Sequence, residues 1–145
     1  MRLETIMYLV DTNVISEARK KSSANKGVRE FFAQTVADEI RMFISVVTAG
    51  ELRRGVEMIR HRGDLRQANR LEKWLETLLF EYKDHILDIN QDIAQLWGRL
   101  RVPHSENALD KQIAATALIY DLTVVTRNRK DFSKTGVRLL NPFKE

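Results

Sequence analysis

The sequence predicts an α/β fold, a mainly parallel sheet with helices on both faces, and three observations carry that prediction. Short apolar runs of strand length alternate with segments whose apolar residues recur at helical spacing. Four acids, Asp11, Glu51, Asp110 and Asp131, sit where such a run gives way to a helix-like segment or where a helix opens. The chain has 145 residues, 43% of them hydrophobic, with two prolines and no linker, repeat or low-complexity tract. That composition suits one domain, residues 1–145, able to bury a substantial core.

Met7-Tyr8-Leu9-Val10 is apolar and ends at an acid, which makes it a buried first strand. Val14 to Lys21 reads as a short helix. Lys26 to Asp38 reads as another, with Val28, Phe31, Phe32 and Thr35 at helical spacing. Met42 to Val47 is rich in β-branched and aromatic residues and predicts a second strand. Thr48 then stands as an N-cap with Glu51 three residues on, the capping-box pattern, and the helix runs to about Arg62. Gly63-Asp64 breaks it. The next helix carries the stripe Leu71, Trp74, Leu75, Leu78 and Leu79, and the pair suggests a hairpin standing off the sheet. Ile86 to Ile89 is a short third strand. Asn90 caps a helix carrying Ile93, Ala94, Leu96, Trp97 and Leu100, and Pro103 to Asn107 is a loop. Ala108 to Tyr120 is a helix whose Ala114, Ala115 and Ala117 permit close approach to a sheet. Leu122 to Thr126 is the clearest strand, and Val137 to Leu140 is a last short one.

Several function classes drop out. There is no cysteine, hence no disulfide and no thiolate zinc site. His61, His85 and His104 are far apart and form no H-x-x-x-H pair, which argues against a histidine zinc site. No secretory signal is evident, and no apolar stretch approaches the roughly 20 residues that span a bilayer, so a cytoplasmic protein without membrane partners is expected. No G-x-G-x-x-G follows the first strand, as a dinucleotide fold would need. A phosphoacceptor receiver domain would show an acidic pair ahead of its acceptor strand and a late lysine, and neither is convincing here.

Net charge is +4 and the cations flank the acids. Arg19, Lys20 and Lys21 lie within one short helix of Asp11. Arg53 and Arg54 follow Glu51, and Arg127, Arg129 and Lys130 precede Asp131. Such a rim attracts a phosphate backbone, although a solvated charged surface reads the same way.

Each acid has a structural alternative. Asp11, with Thr12 and Asn13 beside it, is a ligand for a hard cation or an N-cap. Glu51 is a ligand or the return arm of a capping box. Asp110 is explained by the helix dipole as readily as by chemistry, and Asp131 by a turn, with Asn128 an equal turn-former. Their common position near strand ends makes the set suspicious, because ligands of open α/β sheets bind there. Gathered carboxylates repel unless a proton or a cation intervenes. Mg²⁺ or Mn²⁺ would relieve the repulsion, activate a water and stabilise charge on a phosphodiester. Thr12, Asn13, Thr126 and Asn128 would orient the acids, water or phosphate.

At these residues the sequence resembles the PIN-domain ribonucleases, and among them the VapC- and FitB-like toxins of type II toxin–antitoxin pairs. The carrying motifs are Leu9-Val10-Asp11-Thr12-Asn13-Val14-Ile15-Ser16-Glu17, Thr48-Ala49-Gly50-Glu51-Leu52-Arg53-Arg54-Gly55, Asp110-Lys111-Gln112-Ile113-Ala114-Ala115-Thr116-Ala117 and Thr126-Arg127-Asn128-Arg129-Lys130-Asp131-Phe132. The resemblance spans about Met7 to Phe143. It implies a three-layer α/β/α fold, a homodimer, Mg²⁺- or Mn²⁺-dependent endonuclease action on RNA, and inhibition by a cognate antitoxin whose tail enters the active-site groove. It also implies DNA binding only together with that antitoxin. The family's acids fall on Asp11, Glu51, Asp110 and Asp131, with Asn13, Thr126 and Asn128 in support; the charge pattern itself makes Arg53, Arg54 and Arg127 the expected RNA contacts on the rim. Two features depart from the family pattern. Met1 to Ile6 precede the usual start, which makes Met7 a candidate initiator, and the Pro103–Leu109 loop has no glycine. The rival expectation is a nucleic-acid-binding or regulatory module without turnover; the presence of all four acids favours the enzyme.

Overall fold

The computed structural model describes residues 5–145, so Met1 lies outside the described residues. Five strands form one sheet: β1 (Tyr8–Val10), β2 (Met42–Ser45), β3 (Ile86–Leu87), β4 (Thr123–Val125) and β5 (Leu139–Leu140). Their order is β3-β2-β1-β4-β5, and every pair is parallel. Tyr8 registers with Met42 on one side and Thr123 on the other. From β1 the chain winds outward through β2 and β3, then crosses back to add β4 and β5. That reversal opens a crevice between the carboxyl ends of β1 and β4, the place where open α/β sheets bind ligands.

Alternation along the strands fills both faces. Val10, Ile44 and Val125 point to one side, against Val14 and Ile15 of α1 (Thr12–Ala18), Val28 of α2 (Lys26–Ala37), Leu52 and Val56 of α3 (Val46–His61), and Leu75 and Leu78 of α4 (Leu65–Glu81). Leu9 and Val124 point to the other, against Ile113, Ala114 and Ala117 of α6 (Ala108–Tyr120), with Leu100 of α5 (Gln91–Leu100) packed alongside. A parallel sheet covered on both faces reads as short continuous apolar runs, as these strands do. The result is the expected α/β/α arrangement.

The second strand is shorter than its sequence suggests. It ends at Ser45, whose hydroxyl accepts the Val47 N–H at 3.0 Å, and α3 begins at Val46. Ser45 is therefore the cap, and Thr48 lies inside the helix. The β-branched pair Val46-Val47 looks like strand, but in a first turn there is no preceding turn to crowd it. Similarly, α1 begins at Thr12 on an Asp11 cap and stops at Ala18, and Lys21 adopts φ 54°. The helix predicted to reach Lys21 thus ends a turn early. The hairpin of α3 and α4 turns at Gly63, φ 95°, with Asp64 capping Gln67 N–H at 3.1 Å. It stands clear of the sheet only at its exposed tip, since Leu52, Val56, Leu75 and Leu78 join the core.

After β5 the chain straps across the start of α2. The Asn25 amide accepts Lys144 N–H at 3.0 Å and donates to the Lys144 carbonyl at 2.7 Å. A Cβ on Gly27 would lie 2.1 Å from the Pro142 carbonyl oxygen, so only glycine admits the strap here. Gly27→Ala is expected to destabilise the fold by about 1–3 kcal/mol through overpacking. Urea unfolding measures this, and an unchanged midpoint would mean that the strap is not docked.

Candidate active site

The site grows from the ladder between β1 and β4. Asp11 N–H donates to the Val125 carbonyl at 2.9 Å, which carries the pairing one residue beyond β1 and sets Asp11 beside Thr126. Both are buried, Asp11 at 3% exposure and Thr126 at 0%. The Thr126 hydroxyl donates to Asp11 Oδ2 at 2.8 Å and Asn13 Nδ2 donates to the same oxygen at 3.2 Å. Asp11 Oδ1 accepts the Thr12 N–H at 2.8 Å. Thr126 Oγ1 in turn accepts from Asn13 Nδ2 and from Asn128 N–H at 3.0 Å, and Asn13 Oδ1 accepts Arg127 N–H at 3.0 Å. The two loops leaving β1 and β4 are thereby stitched through one carboxylate.

Glu51 arrives from α3. Its Oε1 accepts the Thr12 hydroxyl at 2.8 Å, with buried Thr48 Oγ1 3.2 Å from the same hydroxyl. The capping-box reading of Glu51 fails, because Ser45 caps that helix and the carboxylate turns toward Asp11's neighbour instead. Asp110 stands in the first turn of α6, and Asp131 in a 3-10 turn, Arg129–Phe132, anchored by buried Phe132.

Burial and mutual repulsion bind the acids into one electrostatic unit. Desolvation raises the Asp11 carboxyl above its ordinary range; bonds from Thr126, Thr12 and Asn13 pull it back, and Asp131 pushes it up further. Burial likewise raises Glu51, with Thr12 opposing and Asp11 adding to it. Asp110 is pushed up to about 6, first by burial and then by the charges of Asp11, Asp131 and Glu51. Asp110 thus feels the other three acids, Asp11 feels Asp131, and Glu51 feels Asp11.

Among the described residues, no three carboxylate or imidazole groups are close enough, as arranged, to enclose a metal ion. The donor chemistry nevertheless fits a hard divalent cation: carboxylate oxygens with hydroxyl and amide groups bonded beside them.

The rim divides. Arg53 is engaged with Glu72 at 2.7 Å and Glu57 at 3.4 Å, bracing α3 against α4. Arg54 and Arg127 are exposed and make no ion pair among the described residues. A groove of about 180 Å³ runs from Thr12 and Glu51 past Arg19 to Leu71 and Trp74. The sequence reading overlooked Thr48 as a member of the cluster; its spacing of three from Glu51 on one helix was the available signal.

Thr126→Val keeps the shape but removes a donor to Asp11, and should destabilise by about 1–3 kcal/mol in denaturant unfolding. Because that bond lowers the Asp11 carboxyl, its loss should raise the carboxyl further.

A five-stranded parallel α/β/α domain with the buried Asp11 stitched to Thr126 and Asn13 at its switch point defines the class. The PIN domain family matches residues 8–137, and the chain belongs to it. Toxin FitB of Neisseria gonorrhoeae is 31% identical over 94% of this chain and 99% of its own length. VapC ribonuclease Y4jK of Sinorhizobium fredii is 30% identical over 94% and 98%. Among solved structures, FitAcB from Neisseria gonorrhoeae superposes with a TM-score of 0.80 at 31% identity, covering 94% of this chain and 98% of that one. FitAB bound to an IR36 DNA fragment gives 0.78 at 28%, covering 96% and 97%.

Proposed function

We propose that this chain is a Mg²⁺- or Mn²⁺-dependent endoribonuclease, the toxin of a type II toxin–antitoxin pair. It acts in the cytoplasm as a homodimer and is restrained by a cognate antitoxin protein. One observation carries the reading: the buried Asp11 carboxylate, held by Thr126, Asn13 and Thr12, and the Glu51 carboxylate, held by the same Thr12, meet at the carboxyl end of β1. Carboxylates brought near one another against their repulsion favour binding of a divalent cation, which supports the reading. The names of toxin FitB and VapC ribonuclease Y4jK support the same assignment.

Asp11, Glu51 and Asp110 would hold the cation, with Asp131 completing that site or helping to hold a second. Bound there, the cation supplies water activation and stabilises charge on the scissile phosphate. Thr126 and Asn13 fix the direction of the Asp11 carboxylate and Thr12 that of Glu51, so two of the acids are oriented in advance. Arg54 and Arg127 offer cations to the flanking RNA backbone, whereas Arg53 is held in the hairpin.

Cleavage of a structured RNA panel with Mg²⁺, Mn²⁺ or EDTA tests the proposal. Metal-dependent cutting is expected, and its absence in every metal would overturn it. The FitAB complex with DNA favours one second reading, a nucleic-acid binder without turnover. That reading predicts retained binding with no cutting. On the first reading, DNA contact arises only within the toxin–antitoxin complex.

A further inference from the structure

Arg127 directly follows Thr126, the residue whose hydroxyl bonds the Asp11 carboxylate. Its backbone is pinned by Asn13. Its guanidinium carbon lies 4.7 Å from the centroid of the Phe143 ring. No carboxylate pairs with it among the described residues, so its donors remain free, unlike those of Arg53. A guanidinium on an aromatic face keeps its fork available for phosphate while losing rotamer freedom beforehand.

The ring is itself held in place. Phe143 packs against the core, and its N–H donates to Asn141 Oδ1 at 3.0 Å. On one side Pro142 fills the space that Gly27 leaves, and on the other the Asn25 amide grips the Lys144 backbone. Lys144 Nζ also pairs with Glu30. Asn25 N–H donates to Glu17 Oε2 at 2.8 Å, tying the strap to α1. Core packing alone would accept any large apolar residue at 143. It does not account for a flat ring beneath an unpaired cation.

We infer that Phe143 is a positioning residue for Arg127, holding its guanidinium as a preset phosphate fork on the flank of the acid cluster. The segment after β5 thereby tunes grip on the RNA backbone. The inference rests on the ribonuclease reading above. Among the described residues the Arg127 guanidinium makes no ion pair with Asp11, Glu51, Asp110 or Asp131, and its recorded contact is the Phe143 ring. Arg127 thus lies beside the reacting centre rather than within it, and its contribution belongs in affinity.

The test compares wild type, Arg127→Ala, Phe143→Leu, Phe143→Tyr and the double variant Arg127→Ala/Phe143→Leu. Binding of a single-stranded RNA oligonucleotide is followed by anisotropy in EDTA across a salt series, and KM and kcat are measured with Mg²⁺. Arg127→Ala should weaken binding and lower the slope of log Kd against log salt by about one. Phe143→Leu should weaken binding about two- to fivefold, with the loss in KM rather than kcat, and Phe143→Tyr should restore it. On the Arg127→Ala background, Phe143→Leu should add nothing. A Phe143→Leu protein that binds like wild type, or whose loss adds fully to that of Arg127→Ala, would make Phe143 a packing residue and sink the inference alone. Wild type that neither binds nor cuts RNA would sink the ribonuclease reading and this inference with it.

Discussion

The Asp11→Asn protein is expected to lose metal-dependent RNA cleavage by at least about a hundredfold while melting no lower than wild type by more than a few degrees. A ligand carboxylate contributes several kcal/mol of charge stabilisation through its cation, and an amide oxygen replaces little of it. Stability should respond differently. Asn at this position still accepts the Thr12 N–H, but its amide nitrogen meets a Thr126 hydroxyl that already accepts from Asn13 and Asn128, so the bond from Thr126 is lost at about 1 kcal/mol. The bond from Asn13 is also lost, at about 1 kcal/mol. Against those losses, a buried carboxylate no longer faces Asp131. Cleavage assays beside thermal melts in EDTA separate the two effects. Cutting within a few-fold of wild type would remove Asp11 from the reaction, and a collapsed melt would make it structural.

Much of this fold is readable because its strands are buried on both faces. Met7 to Val10 and Leu122 to Thr126 are short apolar runs, and they became β1 and β4. Asn90 capped α5 as its position suggested, accepting Ile93 N–H at 2.9 Å. Strand ends were less readable. Val46-Val47 satisfies strand and first-turn preferences equally, and only the Ser45 hydroxyl decides between them. Competing explanations for the acids also turned out to be compatible. Asp11 caps α1 through Oδ1 and turns Oδ2 to Thr126 and Asn13, so the local explanation and the tertiary one use different oxygens. Asp110 sits in a first turn and still feels three distant acids. Glu51 is the contrary case, where the local pattern misled because its partner, Thr12, lies 39 residues away. Arg53 was placed on the rim by adjacency to Glu51, but the fold commits it to Glu72. Nothing in the sequence pairs residue 127 with residue 143; that contact depends on where the chain runs after β5.

In EDTA, raising the pH from 4.5 to 7 is expected to lower the melting temperature, and Mg²⁺ should reverse the loss at pH 7 but not at pH 4.5. The sign follows from Asp110, whose carboxyl is raised from 3.8 to about 6 on folding. The folded state then binds its proton more tightly than the unfolded state. Its stabilisation is complete below about 3.8 and disappears as pH climbs through about 6. Asp11 and Glu51 are raised as well and act in the same direction. Glu17, Glu30, Glu57 and Glu106 are lowered and act in the opposite sense, but only as pH falls through the ordinary carboxylate range, and their exposed pairs contribute little. A fully buried shift of this size would be worth about 3 kcal/mol; the half-exposed Asp110 is screened to about 1 kcal/mol, a few degrees of melting temperature. Asp110→Asn should flatten the profile and melt higher than wild type at pH 7 without metal. A divalent cation favours the ionised acids of the folded state, so its stabilisation grows as they lose their protons. A flat or rising profile in EDTA, shared by wild type and Asp110→Asn, would show that the four acids do not strain one another. Repulsion among the acids would then give no reason for a cation at the β1–β4 crevice.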